Sequence, residues 1–181
     1  MSKKVLLLHG WGGSDFPHWQ SWLAGELAQD YGCVNFLKFS NFDEPKLDVW
    51  MQELTSALND FAPDIVICHS LANTLWFHLC QTQQLNAVKK LYLVAPPSLE
   101  CKVSELSEFF PIQAPKDLNA VKAMLIVSTN DPYMSIEEAE ILQKELNIEM
   151  KIVQNAGHIN AESGYGKWEW ILKELKKEEA L

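Results

Sequence analysis

The sequence predicts an α/β domain: a mostly parallel sheet of about six strands with helices on both faces. Three observations predict it. Short apolar runs alternate with amphipathic stretches along the whole chain. Several of those runs are apolar at every position, the mark of strands covered on both faces. The chain has 181 residues, one domain's worth at roughly 150 residues per domain, so a single domain over 1–181 is expected. Strands separated by helices imply right-handed crossovers and parallel neighbours.

The elements follow in order. Val5 to His9 is an apolar run ended by glycines, a first buried strand. Its apolar stretch, Val5 to Leu8, is far shorter than the ~7–15 residues of a secretory leader, so the Lys3-Lys4 flank is not read as a signal. Pro17 suits the first turn of a helix, and Trp19, Trp22, Leu23 and Leu27 then form one apolar face. Gly32 ends that helix, and Val34 to Phe39 reads as the second strand. Leu47, Trp50, Met51, Leu54, Leu58 and Phe61 make the clearest helical stripe, stopped by Pro63. Asp64 to Cys68 is a third strand, with a helix expected from Leu71 to Gln83. Val88 to Val94 and Val121 to Val127 are the next strands. A helix over Ser135 to Leu146 opens with Ser135 and, three residues on, Glu138, the spacing of a capping box. Ile148 to Val153 is the sixth strand, and Trp168, Ile171, Leu172 and Leu175 stripe a last helix. Only Ala95 to Ala120 breaks the rhythm, with four prolines and a helical turn near Phe109 and Phe110. Such a stretch is either a small lid or loop over a site, or a plain surface crossover.

Composition excludes several classes of partner. The formal net charge is −9 and the pI about 5.0, which argues against nucleic acid and anionic membranes. No apolar run approaches the ~18 residues of a membrane span. Cys33, Cys68, Cys80 and Cys101 have no CxxC spacing, as expected of reduced thiols in a cytoplasmic protein. Oligomeric state is left open.

In α/β sheets, ligands bind beyond the carboxyl ends of the strands. Three reactive residues follow strands directly: Ser70, Asp131 and His158. Ser70 lies in Cys68-His69-Ser70-Leu71-Ala72, between a strand and a helix, where a sharp turn lifts a hydroxyl above the sheet. Cys68 and Ala72 stand where G-x-S-x-G has glycines. Asp131 lies in Asn130-Asp131-Pro132 and His158 after Gly157. Taken singly, these are an N-cap serine, a turn aspartate and a loop histidine. Together, in the order Ser, Asp, His, they read as nucleophile, orienting acid and general base. Oxyanion donors are expected from the backbone N–H of Leu71 and from His9-Gly10-Trp11-Gly12-Gly13, with Trp11 favoured. Trp11, Phe109, Phe110 and Tyr133 are candidates for a substrate pocket, the two phenylalanines serving either as its apolar wall or as core.

Other motifs fail. Gly10-Trp11-Gly12 meets Asp15 where a dinucleotide fingerprint needs glycine, and no G-K-[ST] occurs. The five histidines have no HExxH spacing, so neither a metal nor another cofactor is expected. His78, Trp50, Trp168 and Trp170 read as packing residues.

The combined motifs resemble the small serine hydrolases of the α/β-hydrolase superfamily grouped with retinoblastoma-binding protein 9 and the bacterial YdeN proteins. The matching stretches are His9 to Gly13 with His18-Trp19 and Trp22, His69-Ser70-Leu71, Asn130-Asp131-Pro132-Tyr133, and Gly157-His158-Ile159-Asn160 with Ser163-Gly164 and Trp168. The resemblance implies a minimal α/β-hydrolase fold without a large cap domain, and Ser70, Asp131 and His158 as a triad. An L-x-C-x-E sequence for retinoblastoma-type pockets is absent. The expected activity is cleavage of an ester, thioester or amide in a small-molecule or peptide acyl substrate. The alternatives are acyl transfer to another acceptor and a non-catalytic binding module on the same fold.

Overall fold

The computed structural model describes residues 3–30, 32–82 and 86–177. Met1 and Ser2, and Gln83 at the expected end of the third helix, lie outside the described residues. The chain runs β1 (Lys3–Leu8), α1 (Trp19–Asp30), β2 (Gly32–Leu37), α2 (Leu47–Phe61), β3 (Ile65–His69), α3 (Leu71–Thr82) and β4 (Val88–Val94). A 3₁₀ turn (Ser104–Leu106), β5 (Ala120–Ser128), α4 (Ile136–Leu146), β6 (Glu149–Val153) and α5 (Glu169–Lys176) complete it.

The six strands form one sheet in the order β2-β1-β3-β4-β5-β6, and every pairing is parallel. The period-two side-chain alternation splits the core in two. Leu6, Leu8, Val66, Cys68, Leu91 and Leu93 face α2, α3 and α4. Val5, Leu7, Ile65, Ile67, Tyr92 and Val94 face α1 and α5. Burial on both sides is why these strands read as unbroken apolar runs. The chain enters at β1 and winds one way to β2, then the other way through β3 to β6. The carboxyl ends of β1 and β3 therefore flank the switch point where such sheets bind ligands.

Several bounds differ from the sequence reading: Gly32, expected to end the first helix, opens β2, and that strand stops at Leu37 rather than Phe39. Helix α1 begins at Trp19, two residues beyond Pro17, and the turn expected around Phe109 and Phe110 falls earlier, at Ser104–Leu106. The capping box of α4 is present: the Ser135 hydroxyl accepts from Glu138 N–H at 3.2 Å, and the Glu138 carboxylate accepts from Ser135 N–H at 2.9 Å. Between β4 and β5 the crossover is irregular apart from the 3₁₀ turn. It is pinned by buried Leu106, Phe109, Phe110, Ile112 and Leu118 and by a bond from His78 to the Phe109 carbonyl at 3.0 Å. No large cap domain occurs among the described residues. No helix among them is long and apolar enough to cross a membrane.

Candidate active site

Ser70 occupies the single residue between β3 and α3, with φ of 54°. A non-glycine residue in the left-handed region costs of order 1–3 kcal/mol and persists only where surroundings over-determine it. Here they do. The Ser70 N–H donates to the Val94 carbonyl at 3.0 Å. The Ser70 carbonyl accepts from Asn73 twice, from its N–H at 3.0 Å and its side-chain amide at 2.8 Å. The same amide reaches Val94 O at 2.9 Å, so fully buried Asn73 stitches the turn to β4. Sequence reasoning passed over Asn73. Its signal was an amide side chain three positions after the serine, in the first turn of the helix.

Asp131 and His158 come from the loops after β5 and β6, and side-chain acceptors knit those loops together. Ala156 N–H donates to Ser128 Oγ at 2.9 Å, Asn155 N–H to Thr129 Oγ1 at 2.9 Å, and Gly157 N–H to Asn130 Oδ1 at 2.7 Å. His158 N–H donates to Ser163 Oγ at 3.1 Å. Gly157 has φ of +54°, and a methyl there would run into the Ser163 hydroxyl. Glycine is therefore required on both conformational and steric grounds.

These elements bring the three side chains together. His158 Nδ1 lies 2.9 and 3.0 Å from the two Asp131 carboxylate oxygens, and Nε2 lies 2.8 Å from Ser70 Oγ. A carboxylate only accepts, so the Nδ1 proton points at Asp131 and Nε2 is left to accept from serine. Both side chains of the His158–Asp131 pair are at least nine-tenths buried. Tyr133 N–H donates to Asp131 Oδ1 at 2.9 Å, and the Tyr133 ring stands edge-on to His158 at 4.6 Å.

Three further histidines surround this cluster, and sequence reasoning gave none of them a role. His69 donates through Nε2 to the His158 carbonyl at 3.1 Å, and burial holds its pKa well below the usual value. His18 packs on His69 at 4.8 Å between ring centres. Burial, then the neighbouring histidine charges, lower His18 to about 4. His9 accepts Phe39 N–H on Nε2 at 2.9 Å, which puts its proton on Nδ1, bonded to the Gly10 carbonyl at 2.7 Å. It sits among Phe36, Phe39, Phe42 and Trp50, and burial lowers its pKa too.

A cavity of about 420 Å³ opens on Ser70 and His158. Trp11, Ser14, Asp15 and His18 line it from the loop after β1, and Pro97, Cys101, Val103 and Leu106 from the β4–β5 crossover. Leu71 and Tyr133 are also on its wall. Phe109 and Phe110 are not. Phe109 is fully buried against Trp50 and Phe110 sits in the same core cluster, so the apolar wall comes from Val103 and Leu106 instead. All four cysteines are free. No group of three or more His, Cys, Asp or Glu side chains suited to a metal ion occurs among the described residues.

A family model described as serine hydrolase matches residues 5–177. The chain belongs to this serine hydrolase family. YdeN of Bacillus subtilis is 24% identical over 173 residues, 91% of this chain and 90% of that one. The crystal structure of the ydeN gene product superposes with a TM-score of 0.84 at 22% identity, covering 97% of both chains. A YdeN-like hydrolase from Pectobacterium atrosepticum is 28% identical, with a TM-score of 0.77, covering 96% of this chain and 89% of that one. These full-length likenesses agree with a serine hydrolase of minimal α/β-hydrolase form, in which the loops themselves shape the cavity.

Proposed function

We propose that the protein cleaves an ester, thioester or amide of a small-molecule or peptide acyl substrate through an acyl-enzyme on Ser70. The observation that carries this reading is the unbroken chain from Ser70 Oγ through His158 to Asp131, with links of 2.8 and 2.9 Å. Ser70 Oγ attacks the acyl carbonyl carbon while His158 Nε2 takes its proton. The oxygen–carbon bond forms and the carbonyl electrons move onto an oxyanion. As the intermediate collapses, the bond to the leaving group breaks and His158 returns the proton to it. Water then attacks the acyl-serine, again giving its proton to His158, and releases the acid and free Ser70. Asp131 holds the imidazole in its working tautomer and offsets the charge it gains.

The oxyanion donors are the backbone N–H groups of Leu71 and Trp11. Leu71 opens α3, where first-turn N–H groups lack helical acceptors and favour negative charge. In the loop after β1, Gly12 N–H is bonded to the Phe42 carbonyl at 3.0 Å and Gly13 N–H to the Gly10 carbonyl at 3.2 Å. That leaves the N–H groups of Gly10 and Trp11 uncommitted in the stretch of this loop that adjoins Ser70, and Trp11 is assigned as the donor. His9, by holding the Gly10 carbonyl, fixes the peptide plane from which the Trp11 N–H projects.

The test is labelling by a fluorophosphonate probe followed by intact mass, beside Ser70→Ala and His158→Ala. One adduct on the wild type, lost in both variants, is the expected result. A folded wild type that takes no label overturns the reading and favours a binding module on the same fold.

A further inference from the structure

Two polar groups on the cavity wall have no part in the acyl transfer described above. Ser14 and His18 both line the cavity that holds Ser70, and both are more than nine-tenths buried. Gln20 N–H donates to His18 Nδ1 at 3.1 Å, so that nitrogen carries no proton. With a pKa near 4 the ring is neutral, and its one proton sits on Nε2. That N–H has no hydrogen-bond partner, and neither has the Ser14 hydroxyl. An unpaired buried polar group costs roughly 1–3 kcal/mol, and native proteins leave few of them. Gln20 Oε1 is also unpaired, but Gln20 is not on the cavity wall. Two orphaned donors within one five-residue loop, both on the wall beside Ser70, call for a partner that the substrate brings.

The surroundings define what that partner is. Asp15 and Glu162 line the same cavity, and the nearby Lys38 ammonium is already paired with Asp15 at 3.2 Å. An anionic group would meet two carboxylates and a neutral imidazole. An uncharged acceptor oxygen meets two donors. Val103 and Leu106 remain for the hydrocarbon part of the substrate.

We infer that Ser14 and His18 form a specificity subsite for a neutral acceptor oxygen, an ether, carbonyl or hydroxyl carried by the substrate near the scissile bond. This rests on Ser70 being the nucleophile. Substrates with that oxygen are turned over in preference to hydrocarbon analogues of the same shape.

The test uses pairs of esters that differ by one oxygen in place of a methylene. p-Nitrophenyl methoxyacetate against p-nitrophenyl butanoate places the oxygen on the acyl side. Methoxyethyl butanoate against butyl butanoate places it on the leaving-group side. The kcat/KM ratio within each pair is measured for wild type, Ser14→Ala, His18→Phe and His18→Gln. Dividing the wild-type ratio by that of a variant cancels intrinsic reactivity. At the 0.5–1.5 kcal/mol of a neutral hydrogen bond, the preference for oxygen in at least one pair falls by more than twofold and up to about 13-fold in Ser14→Ala and in His18→Phe. His18→Gln, which keeps a donor, recovers part of it. Ratios that stay within twofold in every variant and both pairs overturn the subsite, as they would if ordered water satisfied the two groups. Melting curves confirm folding, and Ser14→Ala decides the matter if His18→Phe does not fold. Fluorophosphonate labelling separates the two readings: a labelled wild type with flat ratios removes the subsite alone, whereas an unlabelled wild type removes both.

Discussion

Gly10 is where the proposed oxyanion loop presses on the serine turn, and Gly10→Ala tests that contact. A Cβ at position 10 would stand 2.7 Å from Ser70 Cβ, and 3.1 Å from both the His69 carbonyl oxygen and the Leu71 nitrogen. Carbon atoms pack comfortably at about 3.5–4.0 Å, so one side must retreat by roughly 1 Å. None of the three atoms is the free end of a flexible side chain. Ser70 Oγ lies 2.8 Å from His158 Nε2, and a retreat of about 1 Å takes that pair past the ~3.2 Å limit of a hydrogen bond. Misplacement on this scale costs about 10²-fold in rate, or ~2.7 kcal/mol of barrier. Overpacking adds a separate stability cost of about 1–3 kcal/mol. The assay is kcat/KM on p-nitrophenyl butanoate and the rate of fluorophosphonate labelling, with melting temperature alongside. Gly25→Ala is the control, because it lies within α1 with nothing within 4 Å of an added Cβ. It should gain about 0.5–1 kcal/mol and leave activity alone. A Gly10→Ala protein that labels within threefold of wild type, at an unchanged melting temperature, refutes the steric argument.

Three further outcomes follow from the same structure. Burial lowers the pKa of His9, His18 and His69, so below pH ~6.5 the unfolded chain binds protons that the folded chain refuses. Stability is therefore full above about pH 6.5 and falls as pH drops; for His18, lowered from 6.5 to about 4, the loss amounts to roughly 3 kcal/mol. Urea midpoints that do not move between about pH 7 and about pH 4.5 contradict this. Phe109→Ala should cost about 3–5 kcal/mol by emptying a core site and leave KM unchanged, since Phe109 is outside the cavity. A raised KM at full stability would return Phe109 to the pocket wall. Asp131→Asn keeps the shape but loses the charge and the tautomer control, and should lower kcat by up to about 10⁴-fold with little change in melting temperature. Near-normal turnover would remove Asp131 from the mechanism.

What the sequence made legible follows from what reports locally. The β4 boundaries and the α2 stripe agree with the structure to the residue, because each is bounded by its own breaker or by a change of period. The positions of Ser70, Asp131 and His158 at strand ends could be read for the same reason: topology alone brings such ends together. The supporting polar groups could not be read this way. Asn73, His69, Ser128, Asn130 and Ser163 act through side-chain hydrogen bonds to turns and loops, some near and some far in sequence, and no period marks them. Phe109 and Phe110 were ambiguous for a different reason. An aromatic pair in an irregular crossover carries no face, and only the packing on Trp50 and α3 decides which way it turns.

The missing elbow glycines illustrate how a motif can change while its physical requirement is met elsewhere. G-x-S-x-G keeps both flanks of the serine small because backbone must approach backbone there. In this chain the flanking side chains are tolerated: Cys68 on β3 and Ala72 on α3 are fully buried in the same core cluster. The closest approach falls instead on Gly10, since β1 pairs with β3 and Leu8 lies opposite Cys68, carrying the loop after β1 directly onto Ser70. Gly10 is thus a position where an added side chain would collide with the serine turn, and that turn reaches φ of 54° with neither Cys68 nor Ala72 a glycine. The Cys68 thiol contributes only packing. Burial raises its pKa well above the usual value, so it stays protonated and does not compete with Ser70, the proposed nucleophile.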